Sequence, residues 1–178
     1  MSKNTVNIKS SARWIAETAV MLALLVTLQY LTKPLGQFVT GSCVNAVLAL
    51  TVLLAGQSSG FAVALISPWL AFILGIAPMP FVVPAIMVGN LVYVELLHQL
   101  ADPKGKNILR QSIAWLVAAA CKFAILFLVV HKFLKALLPA PKAPQILAMF
   151  SWPQLVTALI GGAVALLLVP VLKKALKK

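Results

Sequence analysis

The sequence predicts an all-α integral membrane protein: a single membrane domain, residues 1–178, folded as a six-helix transmembrane bundle with both termini in the cytoplasm. Three observations carry that prediction. The first is composition: of the 178 residues 62% are hydrophobic and 10% charged, with a mean hydropathy of +1.02. A soluble domain is about 45–50% apolar and about 25% charged, so this chain lacks the polar groups to cover itself in water. Disorder is excluded too, because it requires low hydrophobicity. The second observation is pattern. The apolar residues fall in continuous runs, several near the roughly 20 residues a transmembrane helix takes, whereas barrel strands would alternate in polarity over about ten residues. The third is charge. Only Glu17, Glu95 and Asp102 stand against 15 Lys plus Arg, a net charge of +12, and the basic residues sit at the edges of apolar runs. That placement points to a lipid bilayer and to no nucleic-acid partner.

Residues Met1 to Ala12 read as a polar tail ahead of span one, residues 13–32, which stops before Lys33-Pro34. The run from Trp14 to Leu31 is long for a signal peptide and no clean cleavage site follows, so it is expected to remain as a span. A connector from Leu35 to Gly41 leads to span two, residues 42–55, and the Gly56-Gln57-Ser58-Ser59-Gly60 turn leads to span three, residues 61–77. Pro78 and Pro80 break that span, and span four covers residues 81–100. Asp102-Pro103-Lys104-Gly105-Lys106 is a polar turn. Span five, residues 108–137, exceeds what a bilayer needs, so its end is expected to project into water. A loop holding Pro139, Pro141 and Pro144 precedes span six, residues 153–172, and a Lys-rich tail closes the chain.

Orientation follows from the positive-inside rule. With both ends on one side, that side carries ten basic residues: Lys3, Lys9, Arg13, Lys104, Lys106, Arg110, Lys173, Lys174, Lys177 and Lys178. The opposite side carries four, Lys33, Lys132, Lys135 and Lys142. Lys122 remains, inside span five. It lies about 14 residues from the inner end of that span, roughly 20 Å deep at 1.5 Å per residue. An unpaired ammonium at that depth costs at least about 2.5–3.5 kcal/mol. Three readings account for it: an ion pair with Glu95, a counter-charge for an anionic ligand, or water-lined packing. Glu95 sits closer to the cytoplasm than Lys122, while Asn90 is nearer in depth. Asn90 and Asn45 serve either as helix–helix glue or as ligand contacts. His131, Gln154 and Trp152 fall near the outer ends of spans five and six, where a Trp commonly anchors the interface.

Ala12, Ala16, Ala19 and Ala23 share one face of span one. Such a stripe lets another backbone approach closely, either inside the bundle or from a partner. Enzyme chemistry is not expected: no His/Cys/carboxylate cluster holds a metal, no paired carboxylates occur, and no Gly-rich phosphate loop is present. A nucleotide-binding domain has no room in the short inner loops, and no cofactor is implied.

The alanine-spaced first span, Ala16-Glu17-Thr18-Ala19-Val20-Met21-Leu22-Ala23, together with length, topology and charge bias, resembles the substrate-binding S components of energy-coupling factor (ECF) transporters. These are bacterial micronutrient importers of the cell membrane. The resemblance covers nearly the whole chain. It implies that an Ala-x-x-x-Ala pattern on span one docks a transmembrane coupling subunit, here Ala19 with Ala23 or Ala12 with Ala16, and that two cytoplasmic ATPases supply energy. It also implies an outward-facing pocket for a small-molecule substrate, capped by the loop between spans one and two. At those positions stand Gln37, Thr40, Asn45, Asn90, Lys122, His131, Trp152 and Gln154. The expected function is therefore capture of a carboxylate-bearing micronutrient. The alternatives are a stand-alone carrier or channel working through Glu95 and, less supported, a membrane enzyme.

Overall fold

The computed structural model describes residues 2–102 and 107–176. Among these residues seven α-helices follow in order: α1 (Ser2–Thr32), α2 (Gln37–Ala55), α3 (Gln57–Ile73), α4 (Val83–Leu100), α5 (Ile108–Leu128), α6 (Ala143–Met149) and α7 (Trp152–Ala175). Among the described residues, five segments are long and apolar enough to cross a membrane. The remaining core helix, α3, has 17 residues, roughly 25 Å of helix against a hydrocarbon core of roughly 30 Å. The bundle is all-α, and α3 is its short member.

Helix α2 is the hub. Val47, Leu48 and Ala49 are all buried, because α2 packs against α1, α3, α4 and α7. A membrane helix gains nothing from hiding apolar area in apolar lipid, so its association rests on close packing. The α2–α7 contact shows how this is met. A Cβ added at Gly161 would lie 2.4 Å from the Ser42 carbonyl oxygen and 2.7 Å from the Ala46 nitrogen, both backbone atoms that cannot swing aside. Gly161→Ala should therefore destabilise the bundle by at least about 1–3 kcal/mol, the cost of overpacking. Ile160→Ala, on the exposed face next to it, should change little. Thermal unfolding in detergent measures both, and equal melting of the two variants would contradict this packing.

Several boundaries differ from those read in the sequence, each for a local reason. Helix α1 begins at Ser2, so the polar tail ahead of Ala12 is helical. The α2–α3 reversal is confined to Gly56, whose φ of 92° is a conformation that glycine adopts without steric cost. The polar residues after it, taken as a turn, open α3 instead. Ser59 is buried and pairs with the Thr18 hydroxyl at 2.9 Å, and Gln57 donates to Glu95 at 2.6 Å. Helix α3 then ends at Ile73. Helix α2 starts at Gln37, inside the expected connector. The long fifth span changes character at its end: regular α-helix stops at Leu128, followed by a π-turn at Val129–Leu134 and a 3₁₀ turn at Lys135–Leu137. The proline-rich loop contains α6, with Pro144 in its first turn, where a missing N–H leaves no bond unmade. Lys104, Lys106, Lys177 and Lys178 lie outside the described residues.

A second cluster, including Val82, Leu126, Val130, Ile146 and Phe150, packs α6 and the π-turn against α4 and α5. It closes one end of the bundle beside a cavity.

Candidate functional site

The cavity has a volume of about 240 Å³. Its walls are apolar, formed by residues such as Val44, Pro68, Ala71, Ile86 and Phe150. Polar groups enter from α1, α2, α3, α4, α5 and α7, an arrangement of few placed polar groups in an apolar pocket that suits a small ligand.

At the floor, Lys122 is 2% exposed and bonded on two sides. Its Nζ donates to Asn45 Oδ1 at 2.5 Å and to Asn90 Oδ1 at 2.7 Å, tying α5 to α2 and α4. The Tyr93 ring centroid lies 5.3 Å away, within cation–π range. Lysine offers three donors and no acceptor, so Lys122 dictates how both asparagine amides are turned. The Asn45 nitrogen is used: it donates to Gly41 O at 2.9 Å and to Thr157 Oγ1 at 3.4 Å. The Asn90 nitrogen is buried and, among the described residues, has no partner.

The expected alternative partner is elsewhere. Glu95 accepts from Gln57 at 2.6 Å and from Gln99 at 2.8 Å, and it does not line the cavity. The ion-pair reading of Lys122 is thereby corrected. A charge was expected to seek a charge, but the depth difference along α4 and α5 holds Glu95 away and two neutral amides fill its place.

At the other end, Gln37 and Gln154 both donate to the Met149 carbonyl, at 2.5 and 3.1 Å. Thr40 is buried between them and α1, its hydroxyl donating to Thr32 O at 2.9 Å. Of the eight expected pocket residues, Lys122, Asn90, Asn45, Gln37, Thr40 and Gln154 line one cavity. His131 and Trp152 are not among its lining. His131 stands in the π-turn, stacked on Phe127 at 4.1 Å, and Trp152 is 61% exposed with its ring 5.3 Å from that of Phe38.

Three further polar lining residues were not anticipated: Gln29, Ser67 and Lys33. Gln29 carried a legible signal, since it follows Thr18 and Leu25 on the buried face of α1 at helical spacing. Lys33 read as a span terminator, yet its ammonium reaches across the mouth to Leu74 O at 3.4 Å.

The lining therefore contains two cations and no carboxylate. Its described residues include no His or Cys. Among the described residues no group of three or more His, Cys, Asp or Glu could hold a metal. When protonated, Lys122 is balanced only by amide dipoles, and in a low-dielectric site such a charge attracts an anion strongly.

On the outside of the bundle, Ala12, Ala16, Ala19 and Ala23 are all exposed. Thr18, Leu25 and Gln29 take the inner face of α1.

A bundle of membrane-length helices built around a polar-floored cavity with an open mouth suits a membrane protein that holds a small solute. The chain belongs to the ECF transporter substrate-specific component family, whose description "ECF transporter, substrate-specific component" matches residues 13–173. This is a family of transporter subunits and not of enzymes. No curated protein and no solved structure matches the chain.

Proposed function

We propose that this chain is the substrate-capture subunit of an ATP-driven importer in the bacterial cell membrane, and that its substrate is a small carboxylate-bearing micronutrient. The observation that carries the reading is Lys122: a buried ammonium on a cavity floor, partnered by two amide oxygens, with no carboxylate anywhere in the lining. A carboxylate arriving at the third donor of Nζ completes the charge. Lys33 at the mouth adds to a positive field that draws anions in.

Energy then comes from outside the chain. The exposed alanine stripe on α1 supplies a shallow surface on which the helix of a transmembrane coupling subunit can pack closely, and two cytoplasmic ATPases drive that subunit. On this reading the purified chain binds its acid one-to-one without nucleotide, measured by calorimetry in detergent. In liposomes it moves no solute by itself. Flux from the chain alone would favour the carrier alternative.

On this reading both termini lie in the cytoplasm, which the charge asymmetry supports. A single thiol introduced at Asp102, in an otherwise cysteine-free chain, should resist an impermeant maleimide in intact cells and react after lysis. Labelling in intact cells would reverse the orientation.

A further inference from the structure

Beyond the anionic group, the two ends of the cavity present different hydrogen-bonding groups, and this restricts the substrate further. At the floor the nitrogens of Lys122 and Asn90 have donor capacity left. Lys122 has one N–H left after Asn45 and Asn90, and because Lys122 can bond only to the asparagine oxygen, the Asn90 nitrogen is forced into its buried, unpartnered position. At the rim acceptors are left as well. The Met149 carbonyl accepts only, so one N–H of each of the Gln37 and Gln154 amides is committed to it and the second remains. Their Oε1 atoms are left as acceptors with no donor among the described residues. Gln29, 7% exposed and also in the lining, holds a buried amide oxygen that has no partner among the described residues. Gln37 and Asn45 are about two turns apart on α2, roughly 12 Å along its axis.

We infer that the substrate is a bipolar molecule: a carboxylate at the Lys122–Asn90 end and, at the other end, a hydrogen-bond donor, such as the N–H of an amide, lactam or ring nitrogen, that bonds the oxygens of Gln37 and Gln154. The inference rests on the anionic reading proposed above. A substrate with acceptors alone would leave the rim oxygens desolvated and unpaired, which is the costly outcome for a buried polar group.

The test changes the ligand, so that folding of a variant never decides it. The purified chain in detergent is titrated with a length series of ω-amido carboxylates, their ester isosteres, in which O replaces N–H at nearly unchanged size, and the uncharged ω-amido alcohols. The expected result is that the best amido acid binds about tenfold or more tightly than its ester, the effect of one unmet buried hydrogen bond, and that Gln154→Met narrows this gap. Amide and ester acids binding equally, with the alcohols weaker, would overturn the donor inference and leave the anionic reading standing. Alcohols binding as well as acids would overturn the anionic reading. Binding by no acid of the series would overturn both.

Discussion

Lys122→Met is expected to weaken substrate binding from tens- to thousands-fold while the protein remains folded. Truncating one partner of a buried, hydrogen-bonded charge pair costs about 2–5 kcal/mol, and Lys122 is the only cation among the buried residues of the cavity lining. The effect on stability is smaller because two terms oppose each other. Asn45 Oδ1 and Asn90 Oδ1 lose their donor, at about 1–3 kcal/mol for each oxygen left unpaired. Against that, a desolvated ammonium no longer has to be buried, and methionine fills the same volume. Calorimetric titration and thermal unfolding on one preparation separate the two effects. Binding equal to the parent's, with a collapse in melting temperature, would make Lys122 a helix tie and nothing more.

Ala19→Leu with Ala23→Leu is expected to abolish uptake in cells and leave binding intact. Both residues are exposed on α1, and the cavity residues near its far end, Gln29 on the helix and Lys33 just after it, lie beyond the substituted turn. The substitution keeps hydrophobicity and span length but fills the groove, and close approach is what makes helix association in a membrane effective. Uptake assays beside detergent binding measurements read the outcome. Retained uptake would remove the stripe from the docking surface, and lost binding would place it in the folding of the bundle.

How much of this was legible in the sequence depended on whether a feature is local. Helical character and membrane residence follow from uninterrupted apolar runs, which no tertiary contact needs to explain. The importance of Lys122 was legible for the same reason, because depth in a span is counted along one helix. Its partners were half legible. Depth favoured Asn90 over Glu95, but which face of α2 and α4 each presents depends on helix rotation, which is set by contacts such as Gly161 on Ser42. The Gln57–Gly60 stretch misled because small polar residues usually mark a turn. Here Ser59 finds Thr18 on α1 and Gln57 finds Glu95 on α4, partners distant in sequence that make helix affordable. His131 and Trp152 lie near the outer helix ends as counted, yet their directions depend on the π-turn and on the start of α7, which spacing along an ideal helix does not describe. Gln37 and Gln154 meet only because α6 brings Met149 between them, a contact with no local signature.

The central claim is that Lys122 holds an acid inside a subunit that binds without energy of its own. Mass spectrometry of small molecules released from the chain, purified alone from cells without nucleotide, tests it most directly. The expected result is one carboxylate-bearing molecule per chain from the parent protein and its loss from Lys122→Met. A retained molecule without an acidic group, or one retained equally by Lys122→Met, would contradict it.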